Sequence, residues 1–136
     1  MTLKDYLEEH STQPVEESLH RRLLNDIARK LPRIGITEPA DLYREVDLIE
    51  GETRIGAVDL VALSQNQLYL IEAKVINSNR RRNTLYEINK QLQKAYEFFR
   101  EHFGVAARMI GVYKQTRAKN FQHYERPRPI EHLAGG

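Results

Sequence analysis

A mixed α/β domain is the fold class this sequence predicts, on three observations. Apolar residues recur at three- and four-residue spacing in two separate stretches, 14–31 and 85–103. Between them lie three runs rich in Val, Ile, Leu and Tyr, at 42–49, 54–63 and 68–76, and a fourth follows at 105–113. The 136 residues, 40% hydrophobic and 29% charged, suit one domain with one core.

The first helix is placed at 14–31 because Pro14 follows Ser11 and Thr12, while Leu19, Leu23, Leu24, Ile27 and Leu31 trace one face up to Pro32. Gly35 and Pro39 mark 33–41 as a loop. The turn Glu50-Gly51-Glu52 separates the first two strands, and Ser64-Gln65-Asn66-Gln67 joins the second to the third, so the three read as an antiparallel meander. A polar, arginine-rich connector covers 77–83. Leu85, Ile88, Leu92, Ala95, Phe99 and Phe103 then line a long helix ending near Gly104, with Tyr86 and Phe98 also expected in the core rather than as stacking platforms. Beyond Lys114 there is room for a short helix, and Arg126-Pro127-Arg128-Pro129 predicts an extended or disordered end. The expected organisation is one domain over 1–136, with a core of about 14–113 and a basic segment at 114–136.

The absence of cysteine excludes a disulfide framework, thiolate zinc, an iron–sulfur cluster and a cysteine nucleophile. Any metal must bind through oxygen or imidazole. The N-terminal MTLKDYLEEH is acidic where a signal peptide starts basic and apolar, and no apolar run approaches the roughly 18 residues of a membrane span. An intracellular location, cytoplasmic or nucleoid-associated, is therefore expected. A net charge of +2 does not announce a nucleic-acid binder. The charges are segregated, however: five acids face only Lys4 in 1–20, six bases face only Glu125 in 108–128, and Arg80, Arg81 and Arg82 form a second basic cluster.

The chemistry-bearing residues lie inside the strands. Alternation puts Asp59 on the same face as Ile55, Ala57, Val61 and Leu63, and Glu72 and Lys74 on the same face as Leu68, Leu70 and Ile76, roughly 7 Å apart along the strand. The opposite face, Tyr69, Ile71, Ala73 and Val75, is apolar or aromatic. If the two strands pair through Ser64–Gln67, Asp59 and Glu72 meet with Lys74 near both. Two carboxylates in a partly desolvated place repel unless a cation neutralises them, and an oxygen-rich site suits Mg²⁺ or Mn²⁺. A Lys–carboxylate network that merely satisfies buried charge is the structural alternative.

Ala57-Val58-Asp59-Leu60-Val61-Ala62-Leu63 followed by Leu70-Ile71-Glu72-Ala73-Lys74, with twelve residues between Asp59 and Glu72, resembles the D…E-x-K signature of the PD-(D/E)XK nuclease superfamily. Within it, the pattern resembles RecB-type or archaeal resolvase-like nucleases. The resemblance implies a restriction-endonuclease-like core: helix, three-strand antiparallel meander, helix, fourth strand in a mixed sheet. It further implies a Mg²⁺- or Mn²⁺-dependent deoxyribonuclease in which Asp59 is the central metal ligand, Glu72 the second and the Ala73 carbonyl a third. Lys74 would orient or deprotonate the attacking water or stabilise transition-state charge, and the products would carry 5′-phosphate and 3′-hydroxyl ends.

Many members add a glutamate from the first helix. Glu16 begins the face of Leu19, Leu23 and Ile27 and is the expected ligand, with Glu17, rotated about 100° away, in reserve. Either acid could equally serve only the helix dipole. RecB-type members carry glutamine and tyrosine four residues apart on the second helix; here Gln91, Gln93 and Tyr96 miss that spacing, and Gln91 is the one expected to face the site. Arg80, Arg81, Arg82, Gln91, Lys114, Arg117 and Lys119 are the expected nucleic-acid contacts, the alternative for the arginine run being a solvated surface. The five histidines show no ligand spacing; His20, one turn from Glu16, is the one worth testing. DNA is the expected partner, RNA is not distinguished from it by these residues, and a twofold homodimer would place one site on each strand of a duplex. A non-catalytic nucleic-acid-binding module on a degenerate nuclease fold is the competing expectation.

Overall fold

The computed structural model describes residues 1–12, 17–77 and 81–129. Five strands, β1 (Ala40–Glu50), β2 (Thr53–Ser64), β3 (Leu68–Ile76), β4 (Arg108–Gln115) and β5 (Gln122–Arg126), form one mixed sheet in chain order. Neighbours are antiparallel except β3 and β4, which run parallel because α3 (Arg81–Phe103) carries the chain back between them. The expected α/β class and mixed sheet are present, and β3 has the bounds read from the sequence.

Apart from Glu72 and Lys74, β3 is apolar on both sides because it is the central strand and both its faces are covered. On one face α1 (Leu3–His10) and α3 bury Tyr6, Leu7, Ile88, Leu92, Phe98 and Phe99 against Val46, Leu48, Val61, Leu68 and Leu70. On the other, α2 (Leu19–Arg29) and a 3₁₀ turn at Leu31–Ile34 pack Leu23, Leu24, Ile27 and Ile34 on Leu60, Tyr69, Ile71 and Val112. The result is three layers, helix on sheet on helix.

Several boundaries differ from expectation. The first predicted helix is shorter: Ser18, not the Pro14 region, caps α2 by accepting the Arg21 N–H at 3.1 Å, and residues 13–16 lie outside the described residues. Leu19, expected on the buried face, is 56% exposed: it is the first residue of α2 and lines a surface trough beside Arg22. Leu31 leaves the helix to open the 3₁₀ turn, which has Pro32 in its first positions and closes at Gly35, φ 91°. α1 has no counterpart among the expected elements; its cap is Thr2, and its apolar face is short, with Tyr6 and Leu7 buried and Leu3 packed partly buried against the same core. Tyr86 is 68% exposed rather than core, since it lies off the stripe of Leu85, Ile88 and Leu92.

The basic segment holds no helix among its described residues, in place of the short one expected beyond Lys114. After a turn it returns as β5, which closes the sheet edge beside β4, and residues 130–136 lie outside the described set. Tyr124 of β5 lies across Gly111 of β4, its ring filling the space a side chain would take, and its hydroxyl donates to Asn89 Oδ1 of α3 at 2.8 Å. A Cβ at Gly111 would sit 2.3 Å from that ring. Gly111→Ala is therefore expected to displace Tyr124 and cost about 1–3 kcal/mol in urea unfolding, with most of that cost absent in a Tyr124→Ala background. No helix among the described residues is long and apolar enough to cross a membrane.

Candidate active site

The β1–β2 ladder is interrupted where the site begins. Its register passes from Arg44↔Leu60 to Val46↔Val58, and Glu45, in the gap opposite Asp59, takes φ 45°. Alternation breaks in both strands at this point: Val58 joins the α3-side core whereas Leu60 and Ala62 join the α2-side core. The single-face pattern expected for 55–63 therefore holds only in parts.

At the same level β2 and β3 separate. Their ladder ends at Leu60↔Ile71, so Asp59 and Glu72, next in register, are not joined backbone to backbone. Side chains take over. The Asp59 N–H donates to Glu72 Oε1 at 3.0 Å, and the Ala73 N–H donates to Asp59 Oδ2 at 2.9 Å. This reciprocal bracket holds both carboxyls at the fork of the sheet, where their own chain provides the hydrogen bonds that make burial tolerable.

Glu72 is 1% exposed. Burial drives its carboxyl well above the usual carboxylate range, the Asp59 charge pushes it further, and Lys74 pulls the other way. Between the unfolded carboxylate value, about 4.3, and that raised value, the folded chain keeps a proton the unfolded chain has released. Metal-free stability consequently falls as pH rises through this window and is fully present below it. Without metal, Glu72→Gln is expected to be more stable than wild type at pH 7 and to lose that advantage at pH 4. Added Mg²⁺ or Mn²⁺ should raise the wild-type Tm and leave the variant's unchanged. Urea unfolding at both pH values in EDTA, with thermal scans after adding metal, checks this; a wild type more stable than the variant at pH 7 in EDTA overturns it.

His20, on the first turn of α2, is the histidine that its spacing from Glu16 singles out. Its Nε2 lies 3.3 Å from Asp59 Oδ2 and 3.1 Å from the Ala73 carbonyl oxygen, so the imidazole closes the site from the α2 layer. The hydrogen bond to Asp59 raises its pKa, against the opposing effect of burial. What hides this in the sequence is the sheet fork, which brings a helix residue 39 positions from Asp59 into contact with it.

Lys74 reaches the same pocket, but its Nζ donates to Glu87 Oε2 of α3 at 3.1 Å. Gln91, one helical turn beyond Glu87, lines the pocket as expected, whereas Tyr96 is buried in the core. The cleft, about 440 Å³, is lined by His20, Asp59, Glu72, Ala73, Lys74 and Gln91, with Val75 at its edge. Asp59, Glu72, the Ala73 carbonyl and His20 are hard or borderline donors of the kinds that divalent cations take, and they converge from three elements. The donors match such an ion in kind, whereas the side-chain ligand atoms of His20, Asp59 and Glu72 do not all lie within 4.8 Å of one another.

Other expected residues are placed elsewhere. Glu16 and Arg80 lie outside the described residues. Glu17 is exposed, pairs with Arg22 at 3.9 Å and does not line the cleft. Arg81 donates to the Tyr113 hydroxyl at 3.1 Å and lies 5.5 Å from that ring's centre, while Arg82 is exposed at the start of α3. Lys114 and Lys119 face a separate trough, and Arg117 a depression beside it. A further ligand group, Glu50, Glu101 and His102, has ligand atoms within 4.8 Å of one another. It is exposed, sits about 20 Å along α3 from Glu87, and nothing in it selects Mg²⁺ or Mn²⁺.

No family profile and no curated protein matches this chain. A solved structure described as "Crystal structure of SSO0001" is similar, with a TM-score of 0.40 and 19% identity over 95% of this chain and 77% of that one.

Proposed function

We propose that this chain is a metal-dependent nuclease that hydrolyses DNA phosphodiester bonds, with a PD-(D/E)XK-type site on a restriction-endonuclease-like core. The observation that carries the reading is the bracket at the sheet fork: a buried Glu72 and a part-buried Asp59, each hydrogen-bonded to the other strand's backbone, in one cleft with Lys74. The order helix, three antiparallel strands, helix and parallel strand supports it.

Asp59, Glu72, the Ala73 carbonyl and His20 would hold the ion, His20 as neutral imidazole. When bound, Mg²⁺ or Mn²⁺ supplies Lewis acidity toward phosphate and lowers the pKa of water. The protein's own part is positional. The Ala73 N–H fixes the Asp59 carboxylate, and the Asp59 N–H fixes Glu72, so neither has to reorganise when substrate arrives. Lys74, one-third exposed, can carry its ammonium toward the scissile phosphate or the attacking water, with Glu87 as its resting partner. Gln91 offers an amide to a phosphate or base edge at the α3 wall.

A panel of circular and linear, single- and double-stranded DNA with Mg²⁺ or Mn²⁺ tests the reading, and product sizes separate endonuclease from exonuclease. Metal-dependent cleavage that stops in EDTA is the expected result. One observation favours a second reading, a non-catalytic nucleic-acid-binding module: Glu87 already holds the Lys74 ammonium. That reading predicts salt-sensitive DNA binding with no cleavage under either metal.

A further inference from the structure

We infer that the trough between α2 and the end of β4 is the track for the phosphate backbone of the nucleic-acid strand entering the cleft; this rests on the nuclease reading for the identity of the polyanion. The trough encloses about 360 Å³. One wall is α2 with its C-terminal cap, presenting Arg22, Arg29 and Lys30; the other is β4 and the turn after it, presenting Lys114 and Lys119. Lys114 and Lys119 are among the nucleic-acid contacts expected from sequence, whereas the α2 wall has no signal there beyond ordinary surface charge.

Three observations carry the assignment. The first is charge: among the described lining residues five cations face one acid, Asp26, which pairs with Lys30 at 3.0 Å and Arg29 at 3.7 Å, while Arg22 pairs with Glu17, outside the lining, at 3.9 Å. No carboxylate among the described residues pairs with Lys114 or Lys119. The protein as a whole carries only +2, so this concentration is local. The second is length. Arg22 and Arg29 are two turns apart, about 10 Å along the helix, over which one strand of B-form DNA presents roughly three phosphates at about 3.4 Å axial spacing. A single phosphate would need a convergent pocket; these cations are spread along two walls.

The third is continuity. Val75 lines both the trough and the catalytic cleft, follows Lys74 in β3, and pairs with Lys114 across the β3–β4 ladder. A strand lying in the trough is thereby delivered to Lys74 from the α2 side, beside His20. The contacts are to phosphate, so the track is blind to sequence.

Fluorescence anisotropy of the full chain with a fluorescein-labelled 20-base-pair DNA duplex, in EDTA and over a range of NaCl, tests the assignment. Two duplexes of unrelated sequence are used, and thermal scans check that each variant folds. Lys114→Ala/Lys119→Ala and Arg22→Ala/Arg29→Ala are each expected to make the negative slope of log K against log salt shallower by up to about 2, at roughly 0.9 for every phosphate no longer neutralised, and equally for both sequences. Lys4→Ala, on α1 in the opposite layer, should leave it unchanged. Slopes that stay at the wild-type value in both pairs overturn the track, and cleavage by wild type under Mg²⁺ or Mn²⁺ would then leave the nuclease reading standing. Shallower slopes with no wild-type cleavage support the track and sink the nuclease reading. Absence of wild-type binding to either duplex overturns the track.

Discussion

Lys74→Ala is expected to lower metal-dependent DNA cleavage by at least ~10²-fold, the effect typical of one positioned catalytic group, while leaving Tm close to wild type. The split follows from where the side chain sits. Its ammonium contacts Glu87, whose side chain is 56% exposed, and solvated pairs of this kind contribute about 0–1 kcal/mol. Folding should therefore hardly register the loss, whereas the chemistry should. Asp59→Ala is expected to be at least as damaging to activity but less clean, because the Ala73 N–H loses its acceptor and His20 loses one of its two partners, keeping the Ala73 carbonyl. Asp59→Asn separates the two effects: its amide oxygen still accepts from Ala73, and only the negative charge is gone. Initial rates with Mg²⁺ and Mn²⁺, compared with thermal scans of the same preparations, check the pattern. Cleavage that survives in Lys74→Ala and Asp59→Asn would place the activity at another site or in a contaminant.

Phe99→Ala is expected to cost about 3–5 kcal/mol, a large part of the stability of a domain this size. Phe99 is fully buried in α3 and meets Phe98 edge-on at 5.2 Å, Tyr6 edge-on at 6.2 Å and Phe103 at 6.1 Å. The ring is thus the point where α1, α3 and the sheet close on one another, and none of these neighbours can fill the gap without leaving its own packing. Tyr6 is additionally tied to β1, its hydroxyl donating to the Asp47 carbonyl at 2.6 Å and accepting the Ile49 N–H at 2.9 Å. Urea denaturation measures the loss, with Phe103→Ala, at a partly buried position, as the smaller comparison. A Phe99→Ala cost below about 1 kcal/mol would mean that α1 is not docked as described.

Legibility in the sequence tracks the strength of the local pattern. The β2–β3 hairpin is readable because its turn is polar and flanked by apolar runs, and the structure closes it with Leu63↔Leu68 and a Ser64 N–H to Gln67 carbonyl bond of 2.9 Å. α3 is readable because a helix on the buried side of a sheet must repeat its apolar residues every three or four positions. α1 and β5 are not, for the converse reason. One contributes two core residues, and the other is an edge strand held by Tyr124 over Gly111, a fit between residues 13 positions apart.

The candidate site divides in the same way. That Asp59, Glu72 and Lys74 belong together can be argued from sequence alone, because charges planted in otherwise apolar strands need a common partner and strand periodicity predicts their neighbourhood. Local sequence says nothing of how the chain forks at Glu45 and Asp59, nor that His20 closes the fork, nor that Arg22 and Arg29 face Lys114 across a trough. Periodicity reports which residues leave water. Which of them meet depends on how three layers are stacked, and that is decided by side chains packing across long sequence separations, where no repeat or spacing carries the information.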